Sequence, residues 1–70
     1  MNYYEIKVQP ESGYYLPEWL KAAQKIDPAC KIAKLDDLCS DDADVWEVQS
    51  AKSLARAFSK KNGVISWEAK

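Results

Sequence analysis

Five aspartates fall within nine consecutive positions, Asp36, Asp37, Asp41, Asp42 and Asp44, inside the stretch LDDLCSDDADVW that runs from Leu35 to Trp46. Carboxylates at this density can hold a divalent cation, imitate a phosphate backbone or simply face water. A helix-loop-helix calcium loop needs oxygen ligands at its first, third and fifth positions, glycine at the sixth and a bidentate glutamate at the twelfth. Counting from Asp42 puts Asp44 third but Trp46 fifth, with no glycine, and counting from Asp37 fails likewise. A whole-protein phosphate mimic competes for lysine- and arginine-rich clefts through a large negative charge. This chain has a net charge of −1, and without the five aspartates it carries ten basic residues against six acidic ones. Two readings stay open: a solvated connecting loop anchored by Leu35 and Leu38, or a local acidic finger that reaches a basic surface on a partner.

The complementary charge lies further along. Lys52, Arg56 and Lys60 recur every fourth residue in SAKSLARAFSKKNG, Ser50 to Gly63. On a helix that spacing projects all three from one side. They are then either an ordinary solvated face or a contact surface for phosphates or an acidic partner. Three charges give only a shallow salt dependence to any nucleic-acid contact. Base stacking on the sheet would need outward aromatic rings on central strands, and alternation turns only Tyr3 outward.

Catalytic chemistry finds little to work with. The chain has no histidine, so the usual general base is missing, and its carboxylates lie in the acidic loop or on polar strand faces. Cys30 and Cys39 lack a Cys-x-x-Cys or Cys/His spacing, which argues against zinc. Aspartates flank Cys39, not the lysine or arginine that favours a thiolate. The residues point to a protein that is not an enzyme, with no metal and no cofactor.

The elements that would position these groups can be read from periodicity. Asn2 to Gln9 alternates, with Tyr4, Ile6 and Val8 on one face and Tyr3, Glu5 and Lys7 on the other, as a half-buried strand does. Glu11 to Gly13 has turn composition. Leu16-Pro17-Glu18 opens a helix on which Leu16, Trp19, Leu20, Ala23 and Ile26 form the apolar stripe, and Asp27-Pro28 ends it. Short strands are expected over Cys30–Leu35, Val45–Gln49 and Val64–Glu68, the last with Ile65 and Trp67 inward. Between the final two, Ser50 caps a second helix whose stripe is Ala51, Leu54, Ala55 and Phe58, stopped by Asn62-Gly63.

The resulting order, β-α-β-β-α-β, predicts an α+β protein with a ferredoxin-like split: two helices on one face of a four-stranded antiparallel sheet. Seventy residues make one domain, small enough that its aromatics, Tyr14, Tyr15 and the three tryptophans among them, are first of all core material. No signal peptide or spanning apolar run is visible, and the cysteines read as free thiols, with a single Cys30–Cys39 disulfide the open alternative, so a cytoplasmic protein with no membrane partner is expected.

The segment VWEVQSAKSLARAFSKKNGVISWE, Val45 to Glu68, resembles the strand-helix-strand unit common in small bacteriophage-encoded proteins, including inhibitors of bacterial defence such as anti-CRISPRs. The resemblance covers about a third of the chain and carries over no site residue. It implies a short binding domain that acts stoichiometrically in the host cytoplasm by covering another macromolecule's surface, a protein or a nucleoprotein complex. The alternative is a nucleic-acid or nucleotide-binding module using Lys52, Arg56 and Lys60. A structural subunit that pairs through open sheet edges is a third possibility.

Overall fold

A computed structural model describes residues 1–10 and 16–70. Its elements are β1 (Asn2–Val8), α1 (Glu18–Ile26), β2 (Lys31–Lys34), β3 (Asp44–Ser50) and β4 (Val64–Ala69), with short 3-10 turns at Asp36–Leu38, Ala55–Ala57 and Lys60–Asn62. The turn expected over residues 11–13, together with Tyr14 and Tyr15, lies outside the described residues. The strands form one antiparallel sheet in the order β2-β3-β1-β4.

The register follows from alternation. Tyr4 faces Val48 and Ile6 faces Trp46 across β1 and β3, while Ile6 faces Trp67 across β1 and β4. One face therefore collects Tyr4, Ile6, Val8 and Val48, all buried against Trp19, Leu20 and Ala23 of α1 and against Leu54, Ala57 and Phe58. Two aromatic clusters organise this layer. Trp19 meets Trp46 edge-on at 5.4 Å between centroids, and Tyr4 meets Phe58 at 5.1 Å and Trp67 at 5.8 Å, also edge-on, the geometry that ring quadrupoles favour.

Antiparallel neighbours make β3 and β4 parallel to each other on either side of β1, so the chain between them must return along the sheet. Here the expected second helix is absent. Residues 51–63 form two 3-10 turns joined by irregular backbone, and with one α-helix among the described residues the two-helix ferredoxin-like arrangement does not hold. Length supplies the reason. Ser50 lies beside Asn2 and Val64 beside Val8, so the link spans six residue steps of β1, roughly 20 Å. Thirteen residues of α-helix would cover about 20 Å with none left for two corners, whereas 3-10 and extended backbone advance about 2 to 3.3 Å per residue. The first crossover, residues 9–30, has room for both corners and α1.

Side chains reinforce the choice by taking amides that a helix would have left at its first turn. Ser50 Oγ accepts from the Lys52 amide at 3.0 Å, and the buried Tyr4 hydroxyl accepts from the Leu54 amide at 3.2 Å. The buried set is Leu54, Ala57 and Phe58, not the helical stripe of Ala51, Leu54, Ala55 and Phe58.

β4 also departs from simple alternation. Lys7 pairs with Ser66 but Val8 with Val64, so Ile65 is an extra residue in a bulge. A bulge shifts the side-chain phase, and Val64 becomes the buried residue while Ile65 is 46% exposed. Trp67 keeps its inward contacts yet remains 39% exposed, because β4 is an edge. Leu16, expected on the apolar stripe, is exposed ahead of α1.

One buried polar pair closes the layer. Ser50 Oγ donates to Asp27 Oδ2 at 2.5 Å, and the Ala29 amide donates to Asp27 Oδ1 at 3.1 Å. The Ser50 hydroxyl is the largest influence on the Asp27 carboxyl. It outweighs the opposing effect of burial and, with the amides of Ala29 and Ala51 and the charge of Lys52, holds the group below its ordinary range. This pair ties the C-terminus of α1 to the end of β3.

Candidate functional site: an acidic hairpin loop

The β2–β3 hairpin holds Lys31 against Gln49 and Lys34 against Trp46, and the Leu35 amide continues the ladder to the Val45 carbonyl at 2.8 Å. Beyond that rung the chain turns through Asp36–Leu38, where the Leu38 and Cys39 amides donate to the Leu35 and Asp36 carbonyls. It comes back through a tight turn closed by the Ser40 amide on the Ala43 carbonyl at 2.8 Å.

Cys39 holds the neck of this loop. Its thiol donates to the Leu35 carbonyl at 3.4 Å and approaches the Val45 carbonyl at 3.9 Å, while the sulfur accepts from the Val45 amide at 3.3 Å. The sequence raised Cys39 only as a nucleophile or a metal ligand. Its place is structural, and no periodicity announces a thiol that bonds six residues ahead. Cys30 and Cys39 are both free thiols. Cys39 bonds Leu35 and Val45, five residue steps along the hairpin from Cys30, about 17 Å and beyond the reach of a disulfide. Burial, with a smaller push from the Asp27 charge, raises the Cys30 thiol above its ordinary value.

The loop distributes its aspartates unequally. Asp44, in β3, is half-buried and bridges to Lys34 at 3.7 Å, beside the contact of Lys34 with the Trp46 ring. Asp36, Asp37, Asp41 and Asp42 are exposed and have no ion-pair partner among the described residues. No three carboxylate or thiol groups among the described residues converge as metal ligands would. Leu38 sits among the aspartates, 57% exposed, and a shallow hollow of about 500 Å³ is lined by Lys34, Leu35, Asp36, Asp37 and Leu38. Leu35 is half-buried and anchors the loop as expected; Leu38 does not.

The basic trio is not brought together. Lys52 lies just beyond the Ser50 end of the sheet, where its Nζ donates to the Ile26 carbonyl at 3.4 Å, Arg56 is in the first 3-10 turn of the link and Lys60 in the second, near the Val64 end. All three are exposed. With no helix beneath them they form no single face, and Lys52 and Lys60 are separated by roughly the 20 Å length of the sheet.

Register adds a feature that alternation alone does not reveal. Glu5 sits directly opposite Glu47 on one side and Glu68 on the other, making a row of three glutamates across the open face. Like charges in directly opposed positions are unfavourable, and Lys70 offsets part of the repulsion through its ion pair with Glu5 at 3.5 Å. The outward direction of each glutamate was legible, but their alignment required the pairing register.

Among the described residues no helix is long and apolar enough to cross a membrane. Comparison with known protein families, with curated proteins and with solved structures returns no match.

Proposed function

We propose that this protein is a non-enzymatic binding protein that acts stoichiometrically on a macromolecular partner, docking its Asp36–Asp44 loop onto a basic protein surface. The observation that carries the reading is the ordered loop, in which a thiol locks the neck, four aspartates are exposed without an ion-pair partner among the described residues, and Asp36 and Asp37 line a hollow with the exposed Leu38. An ordered loop spends little entropy on binding. Carboxylates around an apolar centre complement a lysine- or arginine-lined rim with a small apolar pocket, and the charges steer the encounter. The two free thiols suit a reducing cytoplasm. Within this class, the resemblance of residues 45–68 to bacteriophage inhibitors makes a defence complex of the host cell, protein or nucleoprotein, the partner to try first.

Affinity capture tests the reading, with the wild-type chain and an Asp36/Asp37/Asp41/Asp42→Asn variant as paired baits and both protein and nucleic acid identified in the eluates. The expected result is a protein recovered by the wild type and depleted at least about tenfold with the variant. Nucleic acid recovered equally by both baits, and lost with Lys52→Glu plus Arg56→Glu, would instead favour the nucleic-acid module.

A further inference from the structure

The two edges of the sheet are built differently. β2 is four residues long and carries Lys31 and Lys34 at its ends, the short, lysine-bearing design that discourages pairing with another strand. β4 has six residues, exposes Ile65 and Trp67, and has no neighbour on its outer side among the described residues. We propose that β4 pairs antiparallel with β4 of a second copy of this chain about a two-fold axis at Trp67, joining the two sheets into one.

Backbone direction supports this register. The Lys70 amide donates to the Tyr3 carbonyl at 2.7 Å, and in an antiparallel ladder alternate residues turn their N–H and C=O toward the same neighbour. Glu68 and Ser66 therefore face β1, which leaves the backbone groups of Trp67 and Ala69 directed outward. Placing Trp67 opposite Trp67 of the second copy makes a hydrogen-bonded pair at the axis and sets the two half-exposed rings together on the helix side. The same register puts Ser66 opposite Glu68 of the second copy, twice by symmetry. These are the closer, non-hydrogen-bonded positions of the ladder, where a serine hydroxyl can donate to a glutamate that otherwise faces Glu5.

Neighbouring registers are worse. Sliding by one residue on each strand toward the C-terminus opposes Glu68 to Glu68, a like-charge pair. Sliding the other way brings the Ile65 bulge, where the ladder is irregular, into the centre. The contact involves one strand edge and falls below the roughly 800 Å² per partner of a standard interface, so association is weak and reversible.

Sedimentation equilibrium of the intact chain tests this from about 10 μM to about 1 mM. The expected result is a monomer at the low end and a weight-average mass approaching that of a dimer at the high end. Ser66→Glu, which opposes two glutamates in each symmetric pair, should weaken association about tenfold, and Ser66→Lys, which faces Glu68 with a cation, should strengthen it. Ser66 is exposed and faces Lys7 across β1, so Ser66→Lys also sets two cations side by side within the chain, and circular dichroism checks that each variant keeps the fold. A monomer mass at about 1 mM, or the same shift from both substitutions, would overturn the pairing.

Discussion

The Asp27–Ser50 pair joins the end of α1 to the end of β3, 23 residues apart in sequence. Its pH dependence has a definite sign. The folded carboxyl titrates below its reference value of 3.8, so its stabilisation is fully present above that pH and is lost as pH falls through the lower, folded value. Asp27→Asn should lower the melting temperature at neutral pH and narrow the difference between neutral and acid stability, followed by tryptophan fluorescence across a pH series. An unchanged acid profile would mean that Asp27 is not the group responsible. None of this was legible from sequence: Asp27 reads as a helix stop and Ser50 as a helix cap, and each does stand at an element boundary. Their meeting depends on the β2–β3 hairpin, which returns the end of β3 to the C-terminus of α1. Cys39 is similar, since a thiol among aspartates looks like a chemical question until its neighbours across the loop are known.

At the level of elements, strands were the readable part. Period-2 alternation located β1, whose Tyr4, Ile6 and Val8 are buried, and β3, which turns Val48 to the same core. The edge strands β2 and β4 lie within a residue or so of their expected bounds but are mostly exposed, with Val64 the one buried residue of the two. The second crossover was misread because residues 50–63 satisfy helical periodicity and end on a glycine stop. Periodicity carries no information about the distance the link must span, and that distance decided the outcome. The stop itself is real: Gly63 adopts φ +87°, its amide donates to the Lys60 carbonyl and its carbonyl accepts from Gln9. A side chain there would meet nothing within 4 Å, so Gly63→Ala should be destabilising through backbone strain alone, by about 1–2 kcal/mol in chemical denaturation. A neutral result would show that the αL turn is not required. The Ile65 bulge was hidden for a related reason, since a single inserted residue changes which of Val64 and Ile65 turns inward without changing composition.

Across the whole molecule, charge is sorted by position. The acidic loop extends from the β2–β3 side of the sheet, the glutamate row crosses its open face, and the three basic residues are spread along the link on the other face. The sequence made the acidic loop visible as a cluster, and it remains one because it is confined to a single hairpin connection. It made the basic residues look like a stripe only through the helix they were assumed to share. Pairing through β4 would leave both acidic loops free at opposite ends of the joined sheet, since they belong to the other edge. The central claim is stoichiometric docking through that loop, and its most direct test is isothermal titration of the captured partner with the wild-type chain and with the Asp36/Asp37/Asp41/Asp42→Asn variant at two salt concentrations. The account predicts saturation at one loop per site. It also predicts an affinity that falls on raising salt and falls at least about tenfold in the variant, whose melting temperature stays that of the wild type. Equal affinity of the two proteins, with both folded, would contradict it.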